Sequence, residues 1–213
     1  MADSAEKGGG FSRRGFLRGL GGGLLGGAAA AQGWLRGSAG GAQAGEAGVL
    51  RGPTRIELEV NGQLRQLEVE PRTTLLDALR RQLGLTGTKE VCDRGQCGGC
   101  TVLLDGKPVL ACMLLALDAR GRRITTVEGL SAGGRLSAVQ QAFVEQDGLM
   151  CGFCTPGMVM AATALLQANP HPTLEQIRQG LAGNLCRCGS YPRVCAAVQS
   201  AAQGAPQGAP QGG

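Results

Sequence analysis

From Thr54 onward the chain alternates apolar and polar residues: Ile56, Leu58 and Val60 are separated by charged side chains, and Leu67 and Val69 resume the alternation after Asn61-Gly62. A period of two is that of a half-buried strand, and Asn-Gly between two such runs marks a tight hairpin turn. Thr73 or Thr74 then caps a helix that turns Leu75, Leu76 and Leu79 inward, with Gly84 at the expected stop. A second hairpin is predicted from Thr101 to Leu104, turning at Asp105-Gly106 toward Val109, and Ile124 to Val127 offers a last short strand. Hairpin, helix, loop and hairpin are consistent with a small β-grasp sheet.

Beyond Gly129 the period becomes helical, with Leu136, Val139 and Phe143 on one face up to Gly148. Thr155-Pro156 supplies an N-cap and a proline at the first helical position, opening a helix through Val159, Ala162 and Leu166 that should stop at Asn169-Pro170. Thr173 and Gln176 form a capping-box pattern for a helix carrying Leu174, Ile177 and Leu181, ended near Gly183. Pro192 opens a final helix with Val194 and Val198. The fold class expected is therefore α+β, an N-terminal β-grasp domain over 54–128 followed by a C-terminal four-helix bundle over 129–202.

The ends of the chain read differently. Ser12-Arg13-Arg14-Gly15-Phe16-Leu17-Arg18 precedes a weakly apolar, Gly/Ala-rich stretch to about Leu35, and Ala42-Gln43-Ala44 supplies small residues at a cleavage-like position. Residues 1–44 thus resemble a twin-arginine signal peptide, which implies delivery to the periplasm by the twin-arginine export machinery, already folded. Frequent glycines and Arg36 interrupt the apolar stretch. A stable membrane-spanning helix of roughly 20 apolar residues is therefore not expected. Residues 45–53 read as a linker, and 203–213 repeat Gln-Gly-Ala-Pro, a composition expected to be disordered.

Composition narrows the function. Two small domains in 213 residues cannot each bury a large core, so something besides apolar packing should help hold them. Five Lys/Arg against Asp3 and Glu6 place +3 of the formal +5 in residues 1–44, leaving the rest near neutral, and aromatics are only 3% of the chain. Such a chain lacks both the basic stripe and the stacking platform that nucleic acids require. The cysteines number nine, an odd count that suits a purely disulfide framework poorly.

Their spacing points to metal instead. Cys92, Cys97 and Cys100 lie in the loop between helix and second hairpin, and Cys112 on the hairpin's return, giving C-x4-C-x2-C-x11-C. Plant-type ferredoxins hold a 2Fe-2S cluster with C-x4-C-x2-C and a distant fourth cysteine. Gly95, Gly98 and Gly99 would let the backbone wrap around an anionic group and bring N–H donors toward sulfur. Cys151-x2-Cys154 sits at the mouth of the second predicted helix and Cys186-x-Cys188 between the third and fourth, so two pairs on two junctions can converge. A helix N-terminus near Pro156 favours a negatively charged, thiolate-ligated group there. Four thiolates also suit zinc, the competing reading of each set, although zinc sites usually pair two short C-x2-C hooks. No histidine follows either C-x2-C, which excludes c-type haem attachment, and the single histidine, His171, excludes a Rieske centre.

Taken together, Gly87-Thr88-Lys89-Glu90-Val91-Cys92-Asp93-Arg94-Gly95-Gln96-Cys97-Gly98-Gly99-Cys100-Thr101, Cys151-Gly152-Phe153-Cys154-Thr155-Pro156-Gly157 and Gly183-Asn184-Leu185-Cys186-Arg187-Cys188 resemble the small iron-sulfur subunit of the xanthine dehydrogenase and aldehyde oxidoreductase family, the molybdenum hydroxylases. The likeness covers about Thr54 to Ser200. It implies two 2Fe-2S clusters: Cys92, Cys97, Cys100 and Cys112 would hold the one distal to molybdenum, and Cys151, Cys154, Cys186 and Cys188 the proximal one. It further implies a large molybdopterin-binding partner subunit, and an FAD subunit or a cytochrome as onward acceptor. Many members have a glutamine just before the second cysteine run, contacting the pterin; here the position is Met150, and that contact is not expected. Cys195 matches neither set and reads as a small buried hydrophobe.

The resemblance implies oxidative hydroxylation of an aldehyde or aromatic N-heterocycle in the partner, with this chain relaying single electrons. No residue here reads as a nucleophile or a positioned general base, so no catalytic residue is assigned. Two alternatives belong to other classes. A free ferredoxin-like shuttle would need only one cluster domain, and a zinc-stapled periplasmic module would be colourless.

Overall fold

The computed structural model describes residues 51–131 and 133–204. The expected leader, most of the linker and the tail beyond Gly204 lie outside the described residues. Among those described, no helix is long and apolar enough to cross a membrane.

The alternating run builds β1 (Thr54–Val60) and β2 (Gln63–Val69), paired antiparallel from Thr54↔Val69 to Val60↔Gln63. Asn61 and Gly62 both take positive φ (52° and 73°), the paired left-handed conformation that suits the twist of a two-residue hairpin. The second hairpin, β3 (Thr101–Leu104) and β4 (Lys107–Leu110), turns the same way at Asp105 and Gly106. β5 (Arg123–Thr125) sits between the hairpins, parallel to β1 and antiparallel to β3, giving the order β2-β1-β5-β3-β4. That mixed sheet is the β-grasp arrangement expected.

Helix α1 begins as a single α turn (Leu75–Asp77) under the Thr74 cap, whose hydroxyl accepts from the Asp77 N–H at 3.1 Å, and continues as a π-helical turn, Ala78–Gln82. Leu75, Leu76 and Leu79 are fully buried against Ile56, Leu58, Val60, Val102 and Leu104. All four residues of β3 are buried, so its period-two signal is lost. The reason is that both faces are covered: Val102 and Leu104 enter the sheet core, while Leu103 packs with Met160 and Ala164 of the helical half.

The helical half contains α2 (Ala138–Glu145), α3 (Thr155–Ala168), α4 (Leu174–Gly180) and α5 (Tyr191–Gly204). Phe143, Met158, Val159, Ile177, Leu181, Val194 and Val198 form its core. Burying side chains of this size contributes about 1.5–3 kcal/mol each. The Thr173–Gln176 capping box forms as expected, and a second one, Ser137 with Gln140, opens α2.

Four local expectations shift. Because Ser137 is the cap, Leu136 lies outside α2 and is exposed rather than on its inner face. Cys154, not Thr155, is the N-cap of α3, which places Pro156 one position deeper in the first turn. α4 stops at Gly180, with Leu181 as its C-cap, short of Gly183. α5 runs through Gln203 to Gly204, because Ala201 and Ala202 remain buried and carry the helix past the predicted tail boundary.

Candidate metal centres

The first cysteine group is built from one stretch of backbone. Cys92, Cys97 and Cys100 lie in the loop between α1 and β3, while Cys112 lies in a 3-10 turn, Ala111–Met113, just past β4 rather than on the strand. The four side chains come close enough to act on one another: Cys97 on Cys92, and Cys112 and Cys97 on Cys100. Backbone donors point at the sulfurs, Gly95 N–H to Cys112 Sγ at 3.3 Å and Gln96 N–H to Cys92 Sγ at 3.4 Å. The N–H groups of Arg94 and Gln96 draw the Cys92 thiol down to about 6, whereas burial pushes Cys100 up to about 12. Gly95 and Gly98 hold positive φ (73° and 72°) as the wrapping loop requires, but Gly99 does not; an added Cβ there would meet Val91.

The second group is assembled from two helix junctions. Cys151 and Cys154 precede α3, and Cys186 and Cys188 lie between α4 and α5. Here too the thiols act on one another, Cys188 and Cys186 on Cys151, and Cys186 and Cys151 on Cys154. Burial, then Cys186, pushes the Cys154 thiol up to about 11. Burial also opposes ionisation of Cys186, but hydrogen bonds from Ser190 and Cys154 outweigh it and bring that thiol down to about 7. The Phe153 N–H lowers Cys151 in the same way. As N-cap of α3, Cys154 also sits at the positive end of a 14-residue helix. Cys151 and Cys188 are exposed, unlike the buried Cys100 and Cys112.

Both groups fit a 2Fe-2S core. The donors are four thiols at each site, the type that such a core takes. The four cysteines of each set act on one another, so each set can offer its thiols to one shared group. The N–H groups aimed at sulfur stabilise negative charge there, and iron would lower the raised thiols far enough to ionise them.

The groups meet at a junction that the sequence reading missed. The Leu185 N–H donates to the Cys97 carbonyl at 2.9 Å, and Asn184 Nδ2 donates to the Gly98 carbonyl at 2.9 Å. Gly157 of α3 packs so closely on the Gly98 carbonyl that a Cβ would collide with it. Lys89 Nζ stands 5.9 Å from the centre of the Phe153 ring. The only tyrosine, Tyr191, accepts the Cys186 N–H at 2.7 Å through its hydroxyl. Asn184 stands in the 183–188 motif and Tyr191 five residues past Cys186, the signals that could have flagged them. His171 is an exposed loop residue that belongs to neither group. Cys195 is half-buried against the helical core with its thiol raised by burial, and Met150 is 73% exposed.

Residues 58–124 match the family described as 2Fe-2S iron-sulfur cluster binding domain, and residues 126–199 the family described as 2Fe-2S binding domain. The chain is 44% identical over 159 residues to the aldehyde oxidoreductase iron-sulfur-binding subunit PaoA of Escherichia coli (strain K12), covering 68% of this chain and 69% of that one. It is 50% identical over 143 residues to the nicotine 6-hydroxylase small subunit of Paenarthrobacter nicotinovorans, covering 67% and 86%. Among solved structures, a chain of quinoline 2-oxidoreductase from Pseudomonas putida 86 superposes with a TM-score of 0.69 at 45% identity, covering 72% of this chain and 96% of that one. The chain therefore belongs to the iron-sulfur subunits of the xanthine dehydrogenase and aldehyde oxidoreductase family, the molybdenum hydroxylases.

Proposed function

We propose that this electron-transfer subunit of a molybdenum hydroxylase holds its two clusters on Cys92, Cys97, Cys100 and Cys112 and on Cys151, Cys154, Cys186 and Cys188. The observation that carries the assignment is the gathering of eight cysteines at two places in the fold, with backbone N–H groups aimed at the Cys92 and Cys112 sulfurs. When bound, each cluster supplies a one-electron couple. The chain's own residues do the rest: Gly95 and Gln96 N–H groups and the α3 terminus stabilise charge, and burial shields the Cys100 and Cys112 sulfurs from water.

The helical set is assigned to the face against the large molybdopterin subunit. Exposure of Cys151 and Cys188 supports this, as do the exposed apolar side chains Leu149, Met150, Phe153 and Leu185 in the same segments. The sheet set is then distal, toward an FAD subunit or a cytochrome acceptor. The partner oxidises an aldehyde or an aromatic N-heterocycle, the chemistry carried in the relatives' names.

Metal analysis of the intact complex tests the reading. About four iron and four acid-labile sulfide per chain are expected; stoichiometric zinc with negligible iron in anaerobically prepared protein would overturn it. The Arg13-Arg14 segment supports twin-arginine export to the periplasm. Changing both arginines to lysine should leave cluster-loaded precursor in the cytoplasm, and undiminished periplasmic delivery would remove that assignment.

A further inference from the structure

Asn184 is a buried polar residue with only 6% of its surface exposed, in the short turn that joins α4 to Cys186. Its side-chain amide leaves its own half of the molecule altogether. Nδ2 donates to the Gly98 carbonyl at 2.9 Å and lies 3.4 Å from Thr101 Oγ1, the first in the cysteine loop of the sheet half and the second at the start of β3. The next residue, Leu185, donates its backbone N–H to the carbonyl of Cys97 at 2.9 Å. Cys97 belongs to one cysteine set, and Leu185 adjoins Cys186 of the other. A single hydrogen bond thus joins the backbone of one set to the backbone of the other.

The fit around this bond is close. A Cβ at Gly98 would stand 2.5 Å from both Asn184 Nδ2 and the Gly183 carbonyl, and positive φ disfavours a side chain there in any case. The Gly98 carbonyl does not depend on Asn184 for satisfaction, since Thr101 reaches it with its hydroxyl at 2.7 Å and its N–H at 3.2 Å. Removing the Asn184 amide therefore strands no buried acceptor, and its cost to folding is limited. What the amide adds is registration of one loop on the other.

We propose that Asn184 is the positioning residue for electron exchange between the two cysteine sets: it clamps the Gly98 carbonyl so that the Leu185 N–H stays bonded to the Cys97 carbonyl. This rests on both sets being cluster ligands. Tunnelling between redox groups weakens steeply with distance and with loss of bridging bonds, so a loosened junction would slow exchange without altering either site. Asn184 touches no cysteine sulfur and acts only through the two backbones.

The test uses the intact complex carrying Asn184→Ala, Asn184→Ser or Asn184→Asp. Iron content and the individual signals of both clusters should match the unsubstituted complex. Hydrogen exchange at the Leu185 amide should accelerate by about tenfold or more in the Ala variant, as the bond opens more often. The magnetic interaction between the two reduced clusters, read as splitting or enhanced relaxation in electron paramagnetic resonance, should weaken. Serine can still donate and should retain part of the effect, whereas aspartate sets an acceptor against the Gly98 carbonyl and should show the largest loss. Unchanged Leu185 exchange and unchanged magnetic interaction in the Ala variant would overturn the proposal. Loss of iron in all three variants would also overturn it, by making Asn184 part of the fold rather than of the junction. Absence of iron from the unsubstituted complex would instead sink the cluster reading beneath it.

Discussion

The two halves gather four thiols by opposite means. In the sheet half, three cysteines come from one loop and the fourth from the turn after the adjoining hairpin, and the loop carries its own hydrogen bonds: Lys89 N–H to the Gly99 carbonyl, Thr101 N–H to Gly98, and the donors at Gly95 and Gln96 to sulfur. In the helical half, two cysteine pairs belong to junctions that meet only because α3, α4 and α5 share one core. The first site is written into local backbone geometry and the second into tertiary packing. Their exposure differs accordingly: Cys100 and Cys112 are buried, whereas Cys151 and Cys188 reach the surface. A site made by packing helices side by side can sit at the edge of the bundle, where a partner can approach.

The largest effects should come from removing one cysteine at a time. Cys186→Ser and Cys97→Ser should each cost about half of the iron, and from opposite halves. In the assembled complex mixed with substrate, rapid-freeze electron paramagnetic resonance should find the remaining sheet-half signal of the Cys186 variant still oxidised on the turnover timescale. The remaining helical-half signal of the Cys97 variant should be reduced promptly, although delivery to the external acceptor stops. Reduction at the native rate in the Cys186 variant would reverse the proximal and distal assignments.

A smaller effect separates local geometry from packing. Phe143→Ala and Leu58→Ala each hollow out one core, at a cost of about 2–5 kcal/mol. Both should lower Tm. The Phe143 variant should shed the iron of its own half at the lower temperature, because its cysteines sit on separate helix junctions; in the Leu58 variant Cys100 and Cys112 share the damaged core, but the loop's own hydrogen bonds should hold the set longer. Equal retention, or equal loss, in metal analysis after mild heating would dissolve the distinction.

Much of this was legible in the residues themselves. The two hairpins follow from Asn61-Gly62 and Asp105-Gly106 between short apolar runs, and the cap of α4 from Thr173 and Gln176, because turn and cap chemistry acts over a few residues. The eight cysteines announced themselves by spacing. By contrast, nothing local reveals that β3 is buried on both faces, since Leu103 meets Met160 and Ala164 only across the two halves. Helix ends drifted for a similar reason: Cys154 displaced Thr155 as a cap, and buried Ala201 and Ala202 drew α5 onward.

What the sequence determined by itself is therefore the chemistry and the two architectures: strand and helix periods, turn residues, thiol donors and the family to which their spacing belongs. Only the tertiary structure decided how deeply each donor lies, and that Asn184 and Leu185 join one cysteine loop to the other. Periodicity and spacing record interactions within a few residues of chain. Burial and the junction depend on the packing of distant segments, 86 residues apart for Asn184 and Gly98, which no local pattern encodes.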